Sequence, residues 1–233
     1  MTASVYSLPD AAPLFPKPPY YYRNYRKLSV FCRTDGAALA RMLPRHLSAV
    51  SDVMEVFVMD VPDGGPLGAY REGGIVVPVE CGGQRGGHVL YEFVTNDDSM
   101  AAGREIWGYP KKMSKVDWSE HEGRVRGRVV RRGEILIDAD FRPDDNVAFD
   151  KPPLQPRFQV KRFPAVNGQG FDMDRVIVNE LQDAIVHQRQ LGSATVSLGG
   201  NAQDPLHELP VLKVLGAEFI VADFTLAFGR LLD

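Results

Sequence analysis

The chain has 233 residues, of which 44% are hydrophobic and 24% are charged, as in an ordinary globular protein. This composition argues against a disordered chain, and the lack of any run of about 18 apolar residues argues against a membrane span. The formal net charge of −3 argues against a polyanion-binding protein, and the arginines of residues 124–132 interleave with valines and glycines as on a solvated strand face. We therefore predict a single domain over residues 1–233 with no nucleic-acid or membrane partner.

The N-terminal segment has five prolines within residues 1–19 and lacks the basic and apolar runs of a signal peptide. Because proline removes a backbone donor and disfavours helix before it, residues 1–19 are predicted to form an extended arm. Such an arm could lie on a neighbouring subunit. The only cysteines, Cys32 and Cys81, have no paired spacing, so a reducing, cytoplasmic location is predicted.

Two short helices are predicted. The first lies in the segment at residues 36–47, where helical spacing lasts until Pro44, and it follows Thr34 and Asp35, either of which can cap it. The second covers residues 99–107, with Asp97 or Ser99 as its cap. Both are brief, so the helices contribute little to the predicted architecture.

Most of the chain consists of short runs of β-branched and aromatic residues separated by turn residues, which predicts strands. Residues 176–191 fit a strand or a helix, and periodicity does not decide between them. So many short strands predict a mainly β, β-rich α+β protein, built as a barrel or sandwich with a few short helices. The predicted strands are residues 20–33, 53–61, 75–79, 88–94, three within 116–141, 157–163, 196–198 and 215–228.

No cofactor or metal site is predicted. The glycine-rich loop at residues 81–87 contains neither a dinucleotide-binding nor a phosphate-binding fingerprint, which favours a plain turn. The histidines are scattered without a paired ligand spacing, which favours surface or structural roles for them. They are His46, His88, His121, His187 and His207.

The segment GREIWGYPKKMSK, residues 103–115, contains the most informative pattern. Lysine is usually solvated, yet Lys111 and Lys112 stand between the apolar residues Trp107 and Met113, which indicates that one ammonium lies against an apolar wall. Burial can lower a lysine pKa by about 3–5 units and so expose the neutral amine that attacks a carbonyl. We therefore expect a reactive lysine; a solvated pair on a β-turn is the alternative.

The two lysines are adjacent, so a strand after Pro110 would point them to opposite faces, and only one could occupy a given pocket. GREIWGYPKK resembles the signature of the acetoacetate decarboxylase family, and similarity continues in residues 22–35, 67–74 and 204–226. The resemblance implies a β-barrel that encloses the lysine, a homo-oligomer, and a Schiff base between Lys111 and a keto acid. Lys112 would act as a secondary electrostatic influence.

The same resemblance implies that Glu72, in LGAYREGG, is a polar group of the pocket. The alternative is an exposed turn glutamate beside two glycines. A pocket carboxyl group would handle protons during imine chemistry, which the amine alone cannot do. We therefore expect Glu72 close to the amine of Lys111.

Two positions depart from the family pattern: Tyr25 stands where the resemblance implies a pocket arginine, and Phe57 where it implies a second glutamate. An arginine fork binds a carboxylate at two points, and neither replacement carries a charge. Arg23 and Glu55 lie two residues earlier and would share a strand face with them, so compensation is one possibility.

Three functions stay open. The first is an imine-forming lyase that condenses pyruvate with an aldehyde, as aldolase-dehydratases of the superfamily do; there Trp107, four residues before the lysine, would face the substrate. The second is decarboxylation of acetoacetate or a related β-keto acid. The third is a non-catalytic binder of small carbonyl or aromatic ligands. The losses at Tyr25 and Phe57 favour the first.

Overall fold

A computed structural model describes residues 6–232, and strands dominate this part of the chain. The strands are β1 (Tyr20–Arg33), β2 (Ser48–Ala49), β3 (Val53–Val61), β4 (Tyr70–Cys81), β5 (Gln84–Val94), β6 (Lys111–Met113), β7 (Lys115–His121), β8 (Arg124–Arg131), β9 (Glu134–Pro143), β10 (Arg157–Pro164), β11 (Phe171–Asn179), β12 (Leu181–Leu198), β13 (Lys213–Leu226) and β14 (Arg230–Leu231). The mainly β class is confirmed, and residues 176–191 are strand.

The strands form one large sheet in the order β14-β11-β10-β5-β4-β3-β1-β13-β12-β9-β8-β7, with β2 beside β4 and β6 beside β5. Most neighbours are antiparallel, whereas β6 and β10 each run parallel to β5. Within residues 6–232 no pairing joins β14 to β7, so the sheet is open. The sheet is therefore not the closed barrel that the resemblance implied, although its strands form most of the cavity wall described below.

The helices are α1 (Gly36–Met42) and α2 (Asp97–Ala102), and α2 continues into a π-helical turn over Gly103–Trp107. Asp35 caps α1, as predicted, by accepting from Ala38 N at 2.7 Å. The cap of α2 is Asn96 instead of Asp97 or Ser99, because Asn96 Oδ1 accepts from Ser99 N at 2.7 Å. The Ser99 hydroxyl, which lies inside the helix, is therefore available for another partner. Short 3-10 turns occupy Gly65–Leu67 and Leu206–Glu208.

A β-bulge interrupts β1 where its pairing with β13 shifts between Tyr22 and Tyr25. Asn24 adopts φ of 50°, a left-handed conformation that asparagine tolerates better than most residues. The extra residue interrupts the alternation of side chains, so Tyr25 is buried while Arg23 is half-exposed. Two residues that a regular strand would place on one face are thus separated.

The described part of the N-terminal arm, residues 6–19, turns back onto its own chain. Phe15 is buried, and the Ser7 hydroxyl donates to its carbonyl oxygen at 3.2 Å. Tyr6 packs edge-on against Phe15 and Phe228. The extended conformation predicted for the arm is therefore wrong for these residues; residues 1–5 lie outside the described range, and contact with a neighbouring subunit stays a prediction.

No helix within residues 6–232 combines the length and apolar character that crossing a bilayer would require. Both cysteines of the chain are free and buried.

His88 leads to a prediction about acid stability. Its ring is buried in β5, with Nδ1 2.8 Å from the carbonyl oxygen of Phe158, and burial lowers the pKa of His88 to about 4. Since unfolded histidine titrates near about 6.5, His88 contributes stability above that pH that is lost as the pH falls toward 4. We expect the thermal midpoint of His88→Asn to fall less than that of the wild type when the pH is lowered from about 6.5 to 4. The exposed His121→Asn is the control; equal drops in His88→Asn and wild type would contradict the assignment.

Candidate active site

A cavity of about 90 Å³ is lined by strands β1, β3, β4, β5, β10, β12 and β13 of the sheet and by the first residue of β6. It is smaller than the cavity of about 150 Å³ known to bind benzene, so it suits a ligand of only a few heavy atoms. Aromatic and aliphatic side chains form most of its wall, and five lysine, arginine or glutamate side chains enter it. The lining residues are Tyr22, Tyr25, Lys27, Phe57, Met59, Glu72, Val76, Val89, Glu92, Tyr109, Lys111, Arg157, Leu181, Phe224 and Leu226.

Lys111 is the first residue of β6, and its side chain is buried at 6% exposure. Its Nζ lies 3.2 Å from Glu72 Oε2 and 2.9 Å from the Ser99 hydroxyl. The rings of Tyr70 and Tyr109 approach the same ammonium, with centroids 5.7 and 5.9 Å away. The amine is therefore held at one point by a carboxylate, a hydroxyl and two aromatic rings.

Gly103 makes room for this lysine. A Cβ at Gly103 would lie 2.7 Å from Cδ and 2.9 Å from Cε of Lys111, closer than real Cβ contacts allow. The glycine has helical angles, φ −58° and ψ −45°, so close approach of the side chain, not backbone conformation, is what requires a glycine here. The π-helical turn thus shapes one wall of the lysine channel.

The protonation of Lys111 differs from the sequence-based expectation. Burial acts to lower the pKa of Lys111, but the nearby carboxylates of Glu72 and Glu92 outweigh it, so the pKa is raised. The expected lowering considered burial and a second ammonium and omitted two carboxylates in the same cavity. The free site therefore holds an ammonium, which must pass a proton to a neighbouring group before the amine can attack a carbonyl.

Glu92 is the second carboxyl group beside the lysine. The parallel pairing of β5 and β6 places Glu92 directly opposite Lys111. Burial, followed by the charge of Glu72, raises the pKa of Glu92 to about 8, although Lys111 and Arg157 act to lower it. Its Oε2 has no hydrogen-bond partner within residues 6–232. Burial thus favours the protonated form of Glu92, which can donate a proton into the cavity.

Lys112 points to the other side of β6, as strand alternation predicts. Its Nζ donates to Asp204 Oδ1 at 2.6 Å, and Arg131 also binds Asp204, at 3.1 Å. The ammonium is one-third exposed and lies outside the cavity. The structure gives no support to the predicted influence of Lys112 on Lys111, because Lys112 lies outside the cavity and Asp204 balances its charge.

Trp107 and Met113 also lie outside the cavity wall. Trp107 is fully buried, donates from Nε1 to the Ala227 carbonyl oxygen at 3.1 Å, and packs edge-on against Tyr20. Met113 is 41% exposed because it ends a strand of only three residues. Trp107 is thus a packing residue behind the site. Contrary to the prediction, neither Trp107 nor Met113 lines the cavity.

Tyr25 and Phe57 do line the cavity, so both departures from the family pattern fall inside the site. Arg23 cannot compensate for Tyr25, because the bulge turns it outward toward Asp223, 4.0 Å away. Glu55 is buried, and its Oε1 accepts from Lys27 Nζ and from the Ser29 hydroxyl, each at 2.6 Å. Glu55 therefore supports a cation of the cavity wall without lining the cavity itself.

Sequence reasoning missed four polar groups of the site. Glu92 stands in the apolar run VLYEFV, and a charge inside a buried strand is a signal that could have identified it. Ser99 was interpreted only as a helix cap. Lys27 and Arg157 carry no local signal, because nothing in their own segments shows that they face the lysine.

Fold and geometry together define a mainly β protein whose small, mostly apolar cavity holds a buried lysine beside two carboxyl groups. The family model described as acetoacetate decarboxylase matches residues 8–233. Acetoacetate decarboxylase 1 of Mesorhizobium japonicum is 30% identical over 229 residues, covering 97% of this chain and 92% of that protein. The chain belongs to the acetoacetate decarboxylase family, and like its relatives it is a lyase.

Solved structures agree with this assignment. The crystal structure of acetoacetate decarboxylase from Legionella pneumophila has a TM-score of 0.86 and 26% identity, covering 98% of this chain and 94% of that one. The enduracididine biosynthesis enzyme MppR, complexed with the condensation product of pyruvate and imidazole 4-carboxaldehyde, has a TM-score of 0.82. At 22% identity, with 97% of this chain and 95% of that chain covered, MppR shows a shared fold alone.

Proposed function

We propose that the protein forms a Schiff base between Lys111 and a small keto acid. The observation that carries this proposal is the enclosure of Lys111 Nζ at 3.2 Å from Glu72, beside the acid Glu92, in a cavity of about 90 Å³. A solvated lysine pair would show none of these features. The family membership of the chain supports the same chemistry.

The proposed steps use groups that already touch the lysine. As the substrate enters, the ammonium passes a proton to Glu72, and the neutral amine attacks the carbonyl carbon to give a carbinolamine. Glu92, protonated near neutral pH, donates its proton to the departing hydroxyl group. Water leaves and a protonated imine forms. General acid–base assistance of this kind contributes about 10²–10⁴-fold to a rate.

The protonated imine accepts electrons whichever bond then breaks. We propose aldol-type condensation as the reaction: pyruvate loses a methyl proton to a carboxylate of the site, and the enamine attacks an aldehyde. The uncharged Tyr25 and Phe57 on the cavity wall support this reaction over decarboxylation. The MppR complex is an instance of this fold holding a pyruvate–aldehyde condensation product.

Decarboxylation of acetoacetate or another β-keto acid is the second candidate. It is favoured by the names of the curated relatives, which at up to 30% identity are acetoacetate decarboxylases. In this reaction the electrons released as CO2 leaves move into the same protonated imine.

Borohydride trapping tests the proposal. Protein incubated with pyruvate or, separately, acetoacetate is reduced in place and analysed by intact mass and peptide mapping. We expect a stable adduct on Lys111, followed by aldehyde-dependent enone formation with pyruvate that exceeds CO2 release from acetoacetate. The reverse ratio would select decarboxylation. Folded protein that forms no adduct with either keto acid would support the non-catalytic binder.

Glu92 leads to a prediction about pH. Above about pH 8 Glu92 loses its proton, so it can no longer donate to the carbinolamine hydroxyl, and its charge repels a carboxylate ligand. We expect kcat/KM to fall as the pH rises through about 8, and Glu92→Gln to lower activity while removing this step. The exposed Glu80→Gln is the control. If kcat/KM of Glu92→Gln still fell at the same pH as in the wild type, the titration would belong to another group.

A further inference from the structure

Arg157 is a buried cation that the proposed chemistry has not used. It begins β10, pairs with Gly87 of β5, and lines the cavity with a side chain that is 11% exposed. A Cβ at Gly87 would lie 2.4 Å from Arg157 Nη1, so this glycine leaves space for the guanidinium. The strand pairing and the glycine together hold the arginine at the cavity.

The guanidinium has unused hydrogen-bonding capacity. The nearest carboxylate, Glu55, lies 3.9 Å from Nη2, beyond hydrogen-bond distance. Within residues 6–232, Arg157 Nη1 is buried and has no hydrogen-bond partner. Glu55 Oε2 is likewise buried and has no hydrogen-bond partner in this part of the chain. A buried donor without a partner is costly, so the guanidinium would gain more from a ligand oxygen in the cavity that it lines than it would at the surface.

Lys27 adds a second positive charge to this wall. It lines the cavity, its Nζ binds Glu55 at 2.6 Å, and it lies 5.0 Å from the centroid of the Phe57 ring. Lys27 and Arg157 thus flank the carboxylate of Glu55, and neither is among the groups bonded to Lys111 Nζ. The cavity has a cationic wall in addition to its reactive amine.

The charges of the cavity favour an anionic ligand. Three cations, Lys27, Lys111 and Arg157, line it, while the carboxylates in and behind the wall are Glu55, Glu72 and Glu92. Burial raises the pKa of Glu92 and so favours its neutral form, which leaves the cations of the cavity in excess over the charged carboxylates. One carboxylate on a ligand would restore the balance.

We propose that Arg157, with Lys27 beside it, binds the carboxylate of the substrate while Lys111 forms the imine at the adjacent carbonyl. The proposal rests on the proposed function and specifies its substrate class. The site would bind keto acids, which have a carboxylate, in preference to neutral ketones, which have none. A guanidinium fork takes over the charge that Tyr25 lacks, from a different strand.

The test compares pyruvate with acetone, which lacks the carboxylate, in the borohydride reaction. We expect Arg157→Gln to raise the half-saturating pyruvate concentration about 10- to 100-fold, the effect of losing a hydrogen bond to a charged group. Trapping of acetone should change by less than about threefold, since acetone makes no such bond. Arg162→Gln, on the exposed end of β10, is the matched control and should behave as wild type.

Arg157→Lys keeps the charge without the fork, so it should give an intermediate pyruvate value, and it carries the test if Arg157→Gln does not fold. Unchanged pyruvate saturation in both variants, with adducts still forming on Lys111, would overturn the carboxylate assignment alone. Equal losses with pyruvate and acetone would also overturn it, because they would indicate damage to the amine. If wild type forms no adduct with any of these compounds, the Schiff-base proposal itself fails.

Discussion

Replacing Lys111 with methionine or arginine is expected to abolish adduct formation with keto acids, a loss of at least about 10³-fold in imine-dependent turnover. Methionine has no amine, and arginine, with a pKa above about 12, provides no neutral nucleophile. Intact mass after borohydride reduction measures the loss directly. An adduct of undiminished yield in either variant would place the nucleophile elsewhere.

The two variants should differ in stability even though both are inactive. Lys111→Met leaves the carboxyl groups of Glu72 and Glu92 without their cation, which we expect to cost about 1–3 kcal/mol of unfolding free energy. Lys111→Arg retains the charge and should lose less. Lys112→Met is the control, because Asp204 keeps its bond to Arg131 and the reactive amine is untouched. A Lys112→Met protein without adduct would restore the predicted influence of Lys112.

Gly103→Ala is expected to slow imine formation about 10- to 100-fold while leaving the protein folded. The new Cβ would lie 2.7 Å from Lys111 Cδ, so the lysine must shift within its channel and Nζ must leave its position between Glu72 and Ser99. The helical backbone at Gly103 accepts alanine without strain, which separates this effect from a folding defect.

The rate of borohydride trapping with saturating pyruvate measures the effect of Gly103→Ala, and thermal unfolding confirms that the fold is retained. Gly36→Ala at the start of α1 is the matched control, since its Cβ would meet only Asp52 Cβ, at 4.0 Å. A Gly103→Ala rate equal to wild type would show that the lysine channel adapts without loss of catalytic geometry.

The mainly β class and most strand positions could be predicted from local pattern, because β-branched runs and turn residues are short-range features. β3, for example, spans the predicted residues 53–61. The helix cap at Asn96 was missed because the four adjacent polar residues at 96–99 offered equivalent local signals. Closure of the sheet depends on pairing between distant strands, which no local pattern specifies.

Adjacent lysines on a short strand led correctly to one lysine in the cavity and the other outside it. The pKa of Lys111 could not be predicted in the same way. Burial lowers it, but the opposing carboxylates come from β4 and β5, and their effect depends on distances that only folding establishes. The pKa of Lys111 is therefore raised in the structure, whereas the sequence predicted that it would be lowered.

The search for a residue that replaces the charge missing at Tyr25 shows the same limit of sequence reasoning. Regular alternation suggested Arg23 as a substitute, and one inserted residue at Asn24 turned it outward. Arg157, far along the chain, instead reaches the cavity through the parallel pairing of β10 with β5. The sequence by itself determined the β class and which of the two lysines enters the cavity, because these depend on residue type and spacing. Only the tertiary structure decided which charges surround that lysine, because strands from distant parts of the chain supply them.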